Sequence, residues 1–221
     1  MQNISYKTIK DNAEIRTYIQ KGDDLLGALG FTEHAFVHAN KVAETAATIL
    51  LEFGFSQREA ELAKIAGYIH DIGNMINRDG HAQSGALLAF NILTRLGMDP
   101  EETTLVVAAI GNHDEGNGKP ISALAAALIL ADKSDVRRGR VRNTEFVTFD
   151  IHDRVNYAVQ ESTLTVDGQN KTISLHLNLD TSISSKMEYF EIFLARMMMC
   201  RKAALFLDGS FELIMNTTKL L

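Results

Sequence analysis

The residues of this 221-residue chain best suited to chemistry are imidazoles and carboxylates set on or at the ends of helical patterns: His38, the pair His70-Asp71, His81, His113 and Asp132. A His beside an Asp is common by chance, and alone it reads as a helix end with a polar cap. Its surroundings give it weight. His38 lies 32 residues upstream of His70, and His81 lies 11 residues downstream. Asp132 sits near the close of a very apolar helix, LAAALILADKSD. A carboxylate there is costly unless it is paired or bound to metal. The bland alternative, a water-exposed Asp at a helix C-terminus, opposes the helix dipole. Any one of these histidines is more often a surface or satisfied core residue. Five of the seven histidines (His34 included), with two Asp, fall at helix ends or on one apolar face, and together they point to metal binding.

The elements that must position these groups read as helices from the start to about Arg142. Thr32 caps a helix to Phe53, which stops at Gly54. Ser56 caps the next, SQREAELAKIAGYIH, with Glu59 completing a capping box, and that helix ends at Asp71-Ile72-Gly73. Further helices are expected over His81–Leu96, Pro100–Gly111 and Pro120 to about Val136. The pattern then changes. VNYAVQESTLTVD and KTISLHLNLD alternate apolar and polar residues around Gly168-Gln169-Asn170, which predicts an antiparallel hairpin. Ser182–Leu207 reads as a long helix stopped by Gly209, and FELIMN at 211–216 as a candidate third strand beside the hairpin. The expected architecture is mainly α: a helical bundle over 1–142, then a small α+β lobe over 143–221.

The segments HANKVAETA, YIHDIGN, HAQSGALLA, GNHDE and LADKSD give the series H…HD…H…H…D, which resembles the HD superfamily of metal-dependent phosphohydrolases over roughly residues 30–140. The resemblance implies a helical bundle holding two metal ions. One would take His38, His70, Asp71 and Asp132; the other would take Asp71, His81 and His113, with Asp71 bridging. Imidazole and carboxylate without thiolate suit divalent Mn, Fe, Co, Ni or Zn. Two such ions roughly 3.5–4 Å apart can clamp a phosphate and lower the pKa of a bridging water, whose hydroxide attacks phosphorus. His34 can share a helix face with His38, but Val42 and Ala43 follow His38 as in the first motif of the family. His34 is left as a residue behind the ligands, a substrate-facing group or a surface histidine.

Candidate substrate groups lie close to these ligands. Lys133 follows Asp132 and could neutralise a phosphate oxygen, a role that also makes it a catalytic candidate with Asp71. Arg137, Arg138, Arg140 and Arg142 form a basic cluster just beyond, and Arg binds phosphate through forked donors. A solvated charge run is the alternative. Asn74 stands where relatives that cleave cyclic dinucleotides often carry Lys, and the Gly-Tyr-Pro signature of that subgroup is absent. Both departures count against a cyclic dinucleotide and leave Asn74 as a candidate substrate contact.

Composition narrows the partners. The net formal charge is -6, with 46% hydrophobic and 23% charged residues. An acidic chain with one local basic patch fits a small phosphorylated molecule, a nucleotide foremost, better than extended nucleic acid. No apolar run reaches the ~18 residues needed to span a bilayer, and the N-terminus lacks a signal-peptide core. A cytoplasmic protein is expected. The C-terminal lobe is open to three roles: covering the site, mediating a homodimer, or stabilising the helical domain. Two other functional classes share these residues: a di-iron oxygenase of HD type, and a non-catalytic regulatory module that keeps its metals.

Overall fold

A computed structural model of the chain describes residues 3–143, 145 and 148–221. The helices are α1 Tyr6–Lys10, α2 Ala13–Ala28, α3 Phe36–Glu52, α4 Gln57–Ile69, α5 His81–Arg95, α6 Pro100–Gly111 and α7 Ala123–Lys133, with short 3-10 turns at Ile72–Met75 and Arg138–Arg140. Beyond them lie α8 Ile151–Ala158, β1 Val159–Asp167, β2 Thr172–Leu179, α9 Lys186–Phe206, β3 Ser210–Met215 and β4 Thr218–Lys219. The mainly helical reading with a small C-terminal sheet holds. No helix among the described residues is long and apolar enough to cross a membrane.

Local chemistry accounts for most helix starts. Ser56 and Glu59 form the expected capping box at α4. Pro100 opens α6 behind Asp99, whose carboxylate accepts from two backbone N–H groups. The start of α3 differs from expectation. Thr32 is not its cap; the helix begins at Phe36 after Ala35, which makes no side-chain cap bond. The residues between are tied outside the helix by distant partners: Glu33 N–H donates to Arg140 O at 2.8 Å, and His34 N–H donates to Asp23 Oδ1 at 2.8 Å. Likewise α7 starts behind Ser122 rather than at Pro120 and ends at Lys133 rather than near Val136.

In the C-terminal part, β1 and β2 pair antiparallel as expected, from Val159 opposite Leu179 to Asp167 opposite Thr172. The stretch Val155–Ala158, expected as strand, is instead the last turn of α8, which Asp150 caps. The long helix begins at Lys186 behind a Ser185–Glu188 capping box, not at Ser182. It ends at Phe206, and Asp208 takes the left-handed conformation (φ 56°) just before Gly209. β3 is the expected third strand and runs parallel to β2, so the four strands lie in the order β1-β2-β3-β4. A parallel pair needs a crossover, which α9 supplies. The inward residues of β2 and β3, among them Leu175, Leu177 and Leu213, join α3, α4 and α7 in one connected core of buried side chains.

Two glycines set how closely the site-bearing elements approach. A Cβ on Gly67 would lie 2.8 Å from Ala43 Cα, so α3 and α4 touch backbone to backbone beside His38 and His70. A Cβ on Gly73 would collide with the His81 carbonyl and lie 2.6 Å from Gly85 N. Only glycine lets the turn after Asp71 pack against the first turn of α5.

Candidate metal centre

Six side chains from five segments converge. His38 comes from α3 and His70 caps the end of α4, with Asp71 next to it. His81 opens α5, His113 follows the end of α6, and Asp132 lies one residue before the end of α7. All four histidines are buried. Each is oriented through Nδ1. His70 Nδ1 donates to Gly67 O at 2.8 Å, His81 to Arg78 O at 2.9 Å, His113 to Ile110 O at 2.7 Å, and His38 to Asp135 Oδ2 at 2.8 Å. With Nδ1 occupied this way, every Nε2 faces the centre, the arrangement typical of metal-ligating histidines.

The acceptors in the centre are two carboxylates. Asp132 Oδ1 lies 3.3 Å from His38 Nε2 and 3.6 Å from His70 Nε2. Asp71 Oδ2 is 3.3 Å from His70 Nε2, whereas its Oδ1 is 3.4 Å from His81 Nε2. His81 Nε2 and His113 Nε2 face one another at 3.2 Å. Three overlapping ligand groups follow: His38 with His70 and Asp71; His70 with His113 and Asp132; and Asp71 with His81 and His113.

This donor set fits divalent cations. His38 Nε2 and His70 Nε2 are buried without a hydrogen-bond partner, a cost that a bound cation would remove. The field points the same way. Burial disfavours charge on His70, but Asp71 and Asp132 outweigh it and draw that imidazole up to about 10. The centre therefore attracts positive charge, whether proton or metal. Burial, helped by His70 and Lys133, pushes His113 down to about 3, so it stays neutral as a ligand must.

Around the centre lies a shell in which the expected Lys133 and Arg137 meet three residues that sequence reasoning missed, Asp135, Glu115 and Arg196. Asp135, wholly buried, holds His38 and also pairs with Lys41 at 2.8 Å and Arg137 at 3.0 Å. Lys133 Nζ bridges Asp132 Oδ2 at 2.8 Å and Glu115 Oε2 at 2.6 Å, and Glu115 Oε1 accepts from Arg196 Nε of α9 at 2.8 Å. Burial opposes the Lys133 charge, yet Asp132 and Glu115 raise its pKa and keep it cationic. Asp114 Oδ1 stands 4.0 Å from His81 Nε2 at the outer edge.

A cleft of about 380 Å³ opens onto Asp71, His81 and Asp132, and Arg78, Lys133, Arg140 and Arg196 line it. His34 lines it too, its Nδ1 donating to Thr32 O at 2.6 Å. Of the basic cluster, Arg140 is the residue that reaches this cleft. Arg137 turns to Asp135 and Glu33. Arg138 donates to Tyr157 O at 2.7 Å and stacks over the Tyr157 ring at 4.3 Å. Arg142 pairs with Asp23. Asn74 is buried beside a small cavity behind Asp71, its Oδ1 accepting from Arg78 at 3.3 Å.

Fold and site thus define a helical protein built around overlapping buried His/Asp clusters that could hold a metal ion. Residues 35–137 match the HD domain family, which places that segment of the chain in the HD domain superfamily. An uncharacterised protein of Methanocaldococcus jannaschii is 27% identical over 197 residues, 79% of this chain and 75% of that one. The ribonuclease Y of Opitutus terrae is 34% identical over 125 residues, 53% of this chain but 22% of the relative, and that of Bacillus subtilis is 26% identical over 169 residues, 73% and 30%. The chain therefore spans less than a third of the length of these ribonucleases. A crystal structure of a predicted HD superfamily hydrolase from an uncultured Thermotogales bacterium aligns with TM-score 0.45 and 26% identity, over 56% of this chain and 67% of that one.

Proposed function

We propose that this protein is a metal-dependent phosphoric ester hydrolase acting on a small phosphorylated molecule, a nucleotide in the first instance. The observation that carries this reading is the division of Asp71 between two sets of histidines beside a cleft that Arg78, Lys133, Arg140 and Arg196 line, with Asp150 and Asp153 also on its wall. Two divalent ions would be held by His38, His70, Asp71 and Asp132 and by Asp71, His81 and His113. When bound, such ions supply Lewis-acid polarisation of a phosphoryl group and a water of lowered pKa. The protein's own residues do the rest. Lys133 clamps Asp132 Oδ2, leaving Oδ1 to face His38 and His70. Its ammonium carries three donors, and two are met by Asp132 and Glu115. The third can meet a phosphoryl oxygen as negative charge builds there.

The likeness to ribonuclease Y supports phosphoester chemistry at such a centre. The net charge of -6 and the confined cleft favour a small substrate over an extended nucleic acid. A screen of Mn-loaded protein against nucleotides and generic phosphoesters, run beside an oxygen-uptake assay, tests the reading. Release of phosphate independent of oxygen is the expected result. Turnover that occurs only with oxygen consumption would transfer the chain to the oxygenase class. No turnover of any phosphoester, with both metals retained, would make it a binding module.

A further inference from the structure

Two arginines of the cleft lie outside the family-matched segment, and the centre does not account for them. Arg140, on the 3-10 turn after α7, is 4% exposed. Its Nε donates to Glu33 O at 2.9 Å and its Nη1 to Asp135 O at 2.9 Å. Both acceptors are neutral carbonyls. The nearest carboxylate oxygen, Asp135 Oδ2, stands 3.9 Å away and already accepts from His38. Nη2 has no acceptor among the described residues. Burying a guanidinium this way is costly, and burial does push its pKa down, with Asp135 opposing. A purely structural pin between Glu33 and Asp135 would need only Nε and Nη1, and would not require the remaining donors beside a cleft.

Arg196 repeats the pattern from α9. Its Nε is met by Glu115, and its guanidinium lies 4.8 Å from the centre of the Phe193 ring. Its Nη groups have no acceptor among the described residues. Glu115 also serves Lys133, so one carboxylate answers two cations. Arg140 and Arg196 line the same cleft and sense each other's charge. Two forked cations with unspent donors match the oxygens of a phosphoryl group.

We propose that Arg140 and Arg196 form an anion subsite beside the His/Asp centre that takes a second phosphoryl group of the substrate. The ligand class is then a compound with at least two phosphoryl groups, and the C-terminal helix is part of the binding site. This rests on the hydrolase reading above. The test is calorimetric titration of Mn-loaded, desalted protein with methylphosphonate, methylenediphosphonate and malonate. Wild type should prefer the diphosphonate over methylphosphonate by about tenfold or more, the worth of one or two charge-assisted hydrogen bonds. Arg196→Gln and Arg140→Gln should each remove most of that preference while methylphosphonate affinity and Mn content stay unchanged. Equal affinity for the two phosphonates in wild type, or variants that weaken both alike, would overturn the subsite and leave the hydrolase reading standing. Malonate binding as tightly as the diphosphonate would overturn the assignment to phosphoryl. No binding of either phosphonate with Mn retained would overturn both readings. Arg140 is buried, so if Arg140→Gln fails to fold, the partly exposed Arg196 decides alone.

Discussion

Asp71 turns one carboxylate oxygen to each half of the centre: its Oδ1 lies 3.4 Å from His81 Nε2, and its Oδ2 lies 3.3 Å from His70 Nε2. Asp71 is short and sits between the end of α4 and a 3-10 turn, so the backbone fixes the direction of both oxygens. A carboxylate held this way can serve two cations at once.

Two metal ions per chain are therefore expected by elemental analysis. His81→Ala should retain about one, because His38, His70 and Asp132 remain. Asp71→Ala should lose both, with hydrolysis falling by more than the ~10–100-fold typical of residues behind the ligands. Circular dichroism should stay helical, since the helices rest on a continuous apolar core. A wild type with one metal, together with His81→Ala unchanged in content, would refute the shared site.

Much of this convergence was legible in the sequence because most of its histidines and carboxylates sit where helix signals are strongest. Caps, Gly stops and apolar periodicity put His70, His81, His113 and Asp132 at helix ends. The misreadings have physical causes. Val155–Ala158 alternates like a strand, yet Val155, Ala158 and Val159 are also spaced as one helix face, and over so few residues the two periods cannot be told apart. Thr32 has a cap's chemistry, but long-range bonds from Glu33 and His34 hold the chain outside the helix past it. Asp135 and Arg196 find their partners 97 and 81 residues away, a relation that no local pattern encodes. The basic cluster was visible as composition; which of its arginines enters the cleft is decided by packing.

Asp135 offers a test of orientation without removing a ligand. Asp135→Asn keeps the volume but weakens the bond to His38 Nδ1 and leaves Lys41 and Arg137 less compensated. Metal affinity at the site built on His38 should fall about 10–100-fold, while the site built on His81 should bind as before. Competition titrations with a chromophoric chelator would read the two sites. Equal weakening of both, or of neither, would show that Asp135 does not act through His38.

Glu115 predicts a pH dependence. Burial pushes its carboxyl up, but Lys133 and Arg196 outweigh burial and hold it at about 2, below its ordinary 4.5. A depressed carboxyl contributes stability that is present above the unfolded value and lost as pH falls through the folded one. Glu115→Gln should thus be less stable than wild type at pH 7, and the gap should narrow as pH drops from about 4.5 towards 2. Denaturant melts of both proteins in chelator across that range give the difference directly. A gap that stays constant down to pH 2 would mean that the ion network contributes nothing in its charged form.

Gly73 links the fold to the second half of the centre. It follows Asp71 by two residues and packs against the first turn of α5, where a Cβ would strike the His81 carbonyl and crowd Gly85 N. Gly73→Ala must push α5 away from the Asp71 turn or distort the turn itself, and either motion separates His81 from Asp71. Overpacking of this kind costs about 1–3 kcal/mol, which for a chain of this size lowers Tm by roughly 2–12 °C. The loss should be selective: the site built on His81 and His113 should weaken more than the one built on His38 and His70, whose approach depends on Gly67 instead. Gly111→Ala is the matched control. Its Cβ would meet Ala86 Cβ at 3.5 Å, an ordinary contact, and within a helix the change gains up to about 1 kcal/mol. Calorimetric melting and Mn titration of the two variants decide the matter. Gly73→Ala with wild-type Tm and two full metal sites would show that the close approach of the turn and α5 does not set the geometry of the centre.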